Sequence, residues 1–356
     1  MLQLRPRPVS RVSITIFLLS LSLISSAPLS LAQLLSPEAK SALRIGQASL
    51  ERGDFPAAVG ALEKAYGMAP DSPEVVRSLL LSYLQAGQVA TALRLGRKAT
   101  ERWPQDPQLH HWLGLAYFKS GQNSEAQTEL KQAVKLDAAS FGGHFDLALV
   151  QLALQDYAEA SGHLEKALQI HPSDALSHVL LGRAYQNTNR SLDAIRQFRN
   201  ALVIDPNVPL GHYHLGFAYE SIGQTQDAIV EYEAEVKRVP DNAQVRYQFG
   251  HCLLEAGDWK AAIPQLERAT QLDGQHADAF YDLGKATLLA GDAKRAIPAL
   301  QQSSALQPTD PSPHFQLARA LRQTGNKEEA ELELQRFLEL KKLQPSSGGM
   351  ATGRNP

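Results

Sequence analysis

The feature that most constrains this chain is a period. An alanine stands at Ala58, Ala92, Ala126, Ala160, Ala194, Ala228, Ala262, Ala296 and Ala330, nine times at an interval of 34 residues with no insertion or deletion. A fixed interval of that size means stacked supersecondary units, none of which can bury its apolar face alone. The length, 356 residues, would ordinarily suggest two domains. The unbroken period replaces that count with one elongated array.

The clearest unit is Ala175 to Val208. Leu181, Gly182 and Tyr185 fall on one face of a first helix, since residues three and four apart are neighbours on a helix surface. Asn189 ends that helix, Ala194, Phe198 and Ala201 share a face of a second, and Pro206 stops it. The order L-G-x2-Y, A-x3-F, P resembles the tetratricopeptide repeat, whose period is also 34. The resemblance covers residues 37–343 and implies an all-α fold, a right-handed α-α superhelix of about nine helix-turn-helix units. The units are expected to begin at Ala39, Pro73, Pro107, Phe141, Ala175, Pro209, Ala243, Ala277 and Pro311.

Ahead of the array, Arg5, Arg7 and Arg11 precede an apolar run from Val12 to Ile24 and then small residues ending at Ala32. That is the order of a secretory signal peptide, and the run is short of the roughly 20 apolar residues a membrane-spanning helix requires. The expectation is a signal at 1–32 cleaved near Ala32, a short lead-in at 33–36, and a soluble exported protein, periplasmic or secreted, of bacterial type. An uncleaved anchor and a cut after Ala27, which Pro28 would follow directly, are the alternatives. Cleavage at Ala32 removes three arginines and no acid, leaving 32 basic against 37 acidic residues. No basic excess remains to hold nucleic acid. Residues 344–356 are expected to be a disordered tail.

Within the array, the position of Gly182 is small in most units (Gly46, Gly114, Ala148, Gly216, Gly250, Gly284, Ala318), and large residues fill the complementary slot (Leu62, Leu130, Leu164, Phe198, Tyr232, Leu266, Leu300, Leu334). Such alternation lets helix axes approach closely. Gly53, Gly87, Gly121, Gly223, Gly257, Gly291 and Gly325 end first helices, and Ser36-Pro37, Ser72-Pro73, Asp106-Pro107 and Asp310-Pro311 start them. Pro264 and Pro298 should bend second helices without breaking them. The fourth unit departs most: Ala138 replaces a proline, Gly142-Gly143 opens its first helix, and Gln155 takes the turn position. A softer joint near 138–145 is the expectation.

Histidines form a ladder of the same interval, His110, His144, His178 and His212, rejoined by His314. Residues one unit apart stand on separate helices and do not converge on one ion, so these read as packing residues, and neither metal nor cofactor is expected. Cys252 is the only cysteine, so no intramolecular disulfide forms; it lies mid-helix beside His251 and reads as an inert buried thiol. No nucleophile elbow, phosphate loop or metalloprotease motif is present. A scaffold, not an enzyme, is the reading.

In the family that the units resemble, the fifth, ninth and twelfth positions commonly face the concave side. Carried over, they give two zones of a partner-binding groove. Leu81, Leu115, Phe118, Phe145, Leu149 and Leu152 make an apolar one, with Arg77 at the fifth position of its first unit, and Tyr213, Phe217, Tyr247, His251, Tyr281, Lys285, Phe315, Arg319 and Arg322 make an aromatic and basic one over the last four units, with Arg183 at the changeover between them. Aromatic surface with interleaved arginine is the composition of binding hot spots. The implied function is an exported, non-enzymatic scaffold that holds a protein or peptide segment, supporting assembly of an envelope complex; a glycan-binding module is the alternative. No unit has the Lys-at-five, Asn-at-nine pair of repeat domains that clamp chaperone C-termini. The aromatics at position five either face the groove or pack between helices. The last helix, with Phe337 and Leu340 seeking cover, implies a homodimer through that end or cover from the chain itself.

Overall fold

A computed structural model describes residues 35–343, and all regular structure in them is helical. The expected signal at 1–32 and the tail at 344–356 lie outside the described residues.

Eighteen helices follow one another as nine pairs. They are α1 (Pro37–Glu51) and α2 (Phe55–Met68), α3 (Pro73–Gln85) and α4 (Val89–Arg102), α5 (Pro107–Lys119) and α6 (Asn123–Leu136). Next come α7 (Phe141–Ala153) and α8 (Tyr157–Ile170), α9 (Ala175–Asn187) and α10 (Ser191–Ile204), α11 (Gly211–Ser221) and α12 (Thr225–Arg238). The last are α13 (Ala243–Glu255) and α14 (Trp259–Leu272), α15 (Ala277–Leu289) and α16 (Ala293–Leu306), α17 (Ser312–Gln323) and α18 (Lys327–Leu343). Each helix packs on the next, and most first helices also touch the first helix of the following unit. The result is an α-α solenoid of nine tetratricopeptide-like units.

Sequence chemistry sets the joints. Ser36, Ser72, Ser140, Asp174 and Asn242 accept the backbone N–H three residues on, capping first helices. All nine turns place their residue in the left-handed region: seven are glycines, and Gln155 (φ 62°) and Asn189 (φ 59°) adopt the same conformation. The α14 and α16 helices run through Pro264 and Pro298 unbroken.

Three starts differ from the periodic expectation, the first being α1, which begins at Pro37, two residues ahead of Ala39, where Ser36 caps it. Unit six was expected to begin at Pro209, but α11 begins at Gly211 because Leu210 turns left-handed (φ 57°). The chain doubles back so tightly there that a side chain on Gly211 would meet Val208 Cγ1 at 2.5 Å. In unit nine the helix starts at Ser312, one residue late, with Asp310 accepting the Ser312 N–H at 2.9 Å.

The core sits between the two helices of each unit. All nine alanines of the period are fully buried. A Cβ on Gly114, Gly182, Gly250 or Gly284 would stand 2.5–2.7 Å from the large residue of the same unit's second helix, Leu130, Phe198, Leu266 or Leu300. Unit two inverts the sizes: Leu80 is buried where the others are small, and Gly96 takes the large residue's slot.

Candidate functional site: the first-helix face

Positions five and nine lie one turn apart on each first helix, so successive units lay them out as two rows. The rows are only partly open. Arg77, Leu81, Phe118, Phe145, Leu149, Tyr213, Phe217, Tyr247, His251, Tyr281, Lys285 and Phe315 are half-buried, and Arg183, Arg319 and Arg322 are exposed. Leu115 departs from expectation: at 6% exposure it belongs to the N-terminal core, where α3 lies close beside α5, and it offers no surface to a partner.

Four of the aromatics, Phe145, Tyr213, Phe217 and Tyr247, rest on the largest core cluster as partly buried residues. Tyr213 is 6.1 Å from the Tyr232 ring, and its backbone N–H donates to the buried carboxylate of Glu235 at 3.2 Å. Tyr247 packs on His276 of the next inter-unit turn at 4.3 Å. Phe315 packs at a tilt on Phe337 of α18 at 5.2 Å, so the chain itself partly covers Phe337.

Polar side chains stitch the rows together. Arg77 donates to Asp106 at 2.8 Å, His111 pairs with Asp146 at 2.7 Å, His251 with Asp282 at 2.7 Å, and Lys285 with Glu255 at 3.1 Å. Gln248 and Tyr232 both donate to Glu220, at 3.0 and 2.7 Å. The acids at position six (Asp146, Asp282) and Glu220 at position twelve were not singled out by sequence, because position six holds an acid in only two units and position twelve in only one, so no periodic signal marked them. Burial works against charging His251, but the bond to Asp282 and that carboxylate's charge outweigh it and raise its pKa. Arg183 is hemmed in by protein on a curved surface, which lowers its guanidinium pKa, with the phenols of Tyr157 and Tyr213 acting in the opposite sense. Burial raises the Tyr213 phenol.

The histidine ladder is a set of clips more than packing. His110, His212 and His314 meet Glu129, Glu231 and Glu333 of their own unit's second helix at 2.5–2.6 Å, and His178 meets Gln197 at 2.7 Å. In unit four the partner is another imidazole, His163, Nδ1 to Nδ1 at 2.9 Å, while His144 Nε2 lies 3.2 Å from the Ala138 carbonyl. Tyrosines at position eleven clip neighbouring units: Tyr83 and Tyr185 donate to Glu63 and Glu165, and Tyr117 and Tyr219 accept from Arg97 and Arg199. Unit four has Gln151 in that slot, 0% exposed, with neither amide atom bonded.

Chemistry is sparse. The Cys252 thiol is buried, and burial followed by the nearby Glu220 pushes its pKa up to about 12, the opposite of nucleophile activation. Among the described residues no three or more His, Cys, Asp or Glu side chains gather as a metal site would require.

Comparison with known families agrees with this geometry. A tetratricopeptide repeat model matches residues 43–107, 179–243 and 247–312, more than half of the chain. The chain belongs to the tetratricopeptide repeat family. A second tetratricopeptide repeat model matches 287–345, and one described as anaphase-promoting complex, cyclosome, subunit 3 matches 85–167. No curated protein matches. Among solved structures, the tetratricopeptide array is similar to that of the APC/C hetero-tetramer Cut9-Hcn1, at 18% identity and a TM-score of 0.54, over 81% of this chain and 57% of that one. The chain therefore spans little more than half the length of that relative, and the likeness is one of fold. YrrB, described as a tetratricopeptide repeat protein with an unusual peptide-binding site, matches over 52% of this chain and 95% of its own at 23% identity and a TM-score of 0.46. MamA 41-end from Desulfovibrio magneticus RS-1 matches over 48% and 97%, at 23% identity and a TM-score of 0.46. Tetratricopeptide proteins are in general non-enzymatic interaction scaffolds, and the fold of this chain suggests the same use.

Proposed function

We propose that this protein is a non-enzymatic scaffold that holds a peptide or protein segment along the concave face formed by its first helices. One observation carries the reading. The partly buried aromatics Phe145, Tyr213, Phe217, Tyr247 and Tyr281 lie on the first helices of units four, six, seven and eight, among the cations Arg183, Lys285, Arg319 and Arg322, so the face offers large rigid contact area together with planar donors. The buried, high-pKa Cys252 and the engagement of the histidines in clips support a binding role over a catalytic one.

The basic and then apolar order of residues 5–24 supports export, with envelope assembly as the setting. Among the described residues no helix is long and apolar enough to cross a membrane. Leu332, Leu338 and Leu343 are exposed on α18 and support self-association through that end. Site-directed photo-cross-linking from the first-helix face, in the cell that makes the protein, tests the binding role.

A further inference from the structure

Four of the five Lys and Arg side chains assigned to the first-helix face are engaged. Arg77 holds Asp106 at 2.8 Å, Lys285 holds Glu255 at 3.1 Å, Arg319 reaches Gln316 at 2.9 Å and Arg322 reaches Glu331 at 3.4 Å. Arg183, midway along α9, has no carboxylate or amide partner among the described residues, although the chain carries 37 acids.

Its surroundings are specific. The groups that Arg183 feels are the phenols of Tyr157 and Tyr213 and the imidazole of His214, from the units on either side, and none of these is an anion at neutral pH. The side chain is open to water. At the same time it is crowded enough that desolvation is the first influence on its guanidinium. The α9 helix makes closer contact with α11 than with α7. Phe145 and Leu149 on α7 and Tyr213 and Phe217 on α11 occupy the rows to either side.

An arginine keeps its charge under such crowding, so a partly desolvated guanidinium without a counter-ion is an unfavourable arrangement that an arriving anion relieves. The planar fork matches two oxygens of a carboxylate or a phosphate. A phosphate dianion would call for a second cation, and the flanking rows supply rings and leucine instead.

We propose that Arg183 is the anchor for a carboxylate of the bound segment, so that the ligand class is an acidic peptide with apolar side chains next to its Asp, Glu or C-terminal carboxylate. This rests on the reading of the first-helix face as a peptide-binding surface. It adds the charge and register of the peptide: the carboxylate at unit five, the apolar residues over Phe145 and Leu149 on one side and Tyr213 and Phe217 on the other.

The test follows the Nε–Hε resonance of Arg183 by NMR in the full-length protein. The probes are N-acetyl-phenylalanine, a carboxylate beside an aromatic ring, and N-acetyl-phenylalaninamide, the same molecule without the charge. The acid should shift the resonance saturably in the millimolar range and the amide at least tenfold more weakly. Phenyl phosphate should bind no more tightly than the acid. In Arg183→Gln, monitored at the Phe217 ring, the acid-over-amide preference should vanish, while Arg322→Gln should keep it; circular dichroism confirms that both variants fold. Equal binding of acid and amide, absence of any shift at Arg183, a preference retained in Arg183→Gln, or tighter binding of phenyl phosphate would overturn the assignment. Cross-linking of a partner from position 217 with no acid preference at Arg183 would leave the binding face standing and remove only the anchor.

Discussion

The ring of Phe198 occupies the space that a side chain on Gly182 would need: a Cβ there would stand 2.5 Å from Phe198 Cε1 and 2.8 Å from two further ring atoms. Gly182→Ala should therefore destabilise the protein by about 1–3 kcal/mol through overpacking, more than the roughly 1 kcal/mol that Ala gains over Gly in a helix. Units four and nine show the remedy, since Ala148 and Ala318 face the smaller Leu164 and Leu334. The double variant Gly182→Ala with Phe198→Leu should recover part of the loss. Urea unfolding of the two single variants and the double variant measures the coupling, and additive losses would contradict the packing account.

Gln155 holds a backbone conformation, φ 62°, that glycine supplies in seven of the nine turns. Gln155→Gly should stabilise unit four by about 1 kcal/mol, because the left-handed region costs an ordinary residue roughly 1–2 kcal/mol and the extra entropy of glycine returns part of that. Asn189→Gly should gain less, since Asn tolerates this region. Thermal unfolding of the pair orders the two effects.

Both amide atoms of Gln151 are buried without a bonding partner. Replacing it by the shape-matched Leu removes two unpaired polar groups, and Gln151→Leu should raise stability by about 1–3 kcal/mol. An unchanged or lowered denaturation midpoint would show that the amide is satisfied in solution.

The clip between His144 and His163 should fail in acid. The Ala138 carbonyl can only accept, so His144 Nε2 donates to it, and the neutral ring then offers its Nδ1 lone pair to the Nδ1–H of His163. Burial, then the neighbouring His144, Lys166 and Lys131, hold His163 down to about 4; burial lowers His144 as well. A histidine whose folded pKa lies below its unfolded value of about 6.5 contributes stability that is present above 6.5 and is lost as pH falls toward 4. His251 runs the other way: its pKa is raised, so its contribution is present below about 6.5 and is lost as pH rises through its folded value. Hydrogen exchange at pH 7 and pH 5 should show residues 138–170 losing protection on acidification more than the flanking units. His163→Glu, which copies the partner used by His110, His212 and His314, should abolish the difference.

The architecture was legible because one interval fixes it: Ala58 to Ala330 and the residues facing Gly182 repeat without a break, and packing between paired helices follows from size alternation. Local strain was less legible. Leu210 turned left-handed and displaced the start of α11 where Val208 is buried beneath Gly211, a tight local turn that no repeat template contains. The inversion of Leu80 and Gly96 was visible in the sequence as a gap in the list of large residues. The groove was legible only as positions. Leu115 shares the ninth position with Arg183, yet one is core and the other exposed, because neighbouring first helices pack closely at α3 and α5 and make less contact at α7 and α9. Which cations are spent also depends on contacts that periodicity does not encode, at the joints between units for Arg77 with Asp106 and Lys285 with Glu255, and within the last unit for Arg322 with Glu331.

The central claim is that a partner lies along the first helices and not on the outer ones. A photoreactive benzoyl-phenylalanine at position 217 on α11, compared with one at position 203 on α10, where Val203 is 84% exposed, tests it most directly in the cell that makes the protein. The account predicts a discrete cross-linked partner from position 217, lost when Tyr213 and Tyr247 are truncated to alanine, and none from position 203. Cross-links of equal yield from both positions, or from position 203 alone, would contradict it.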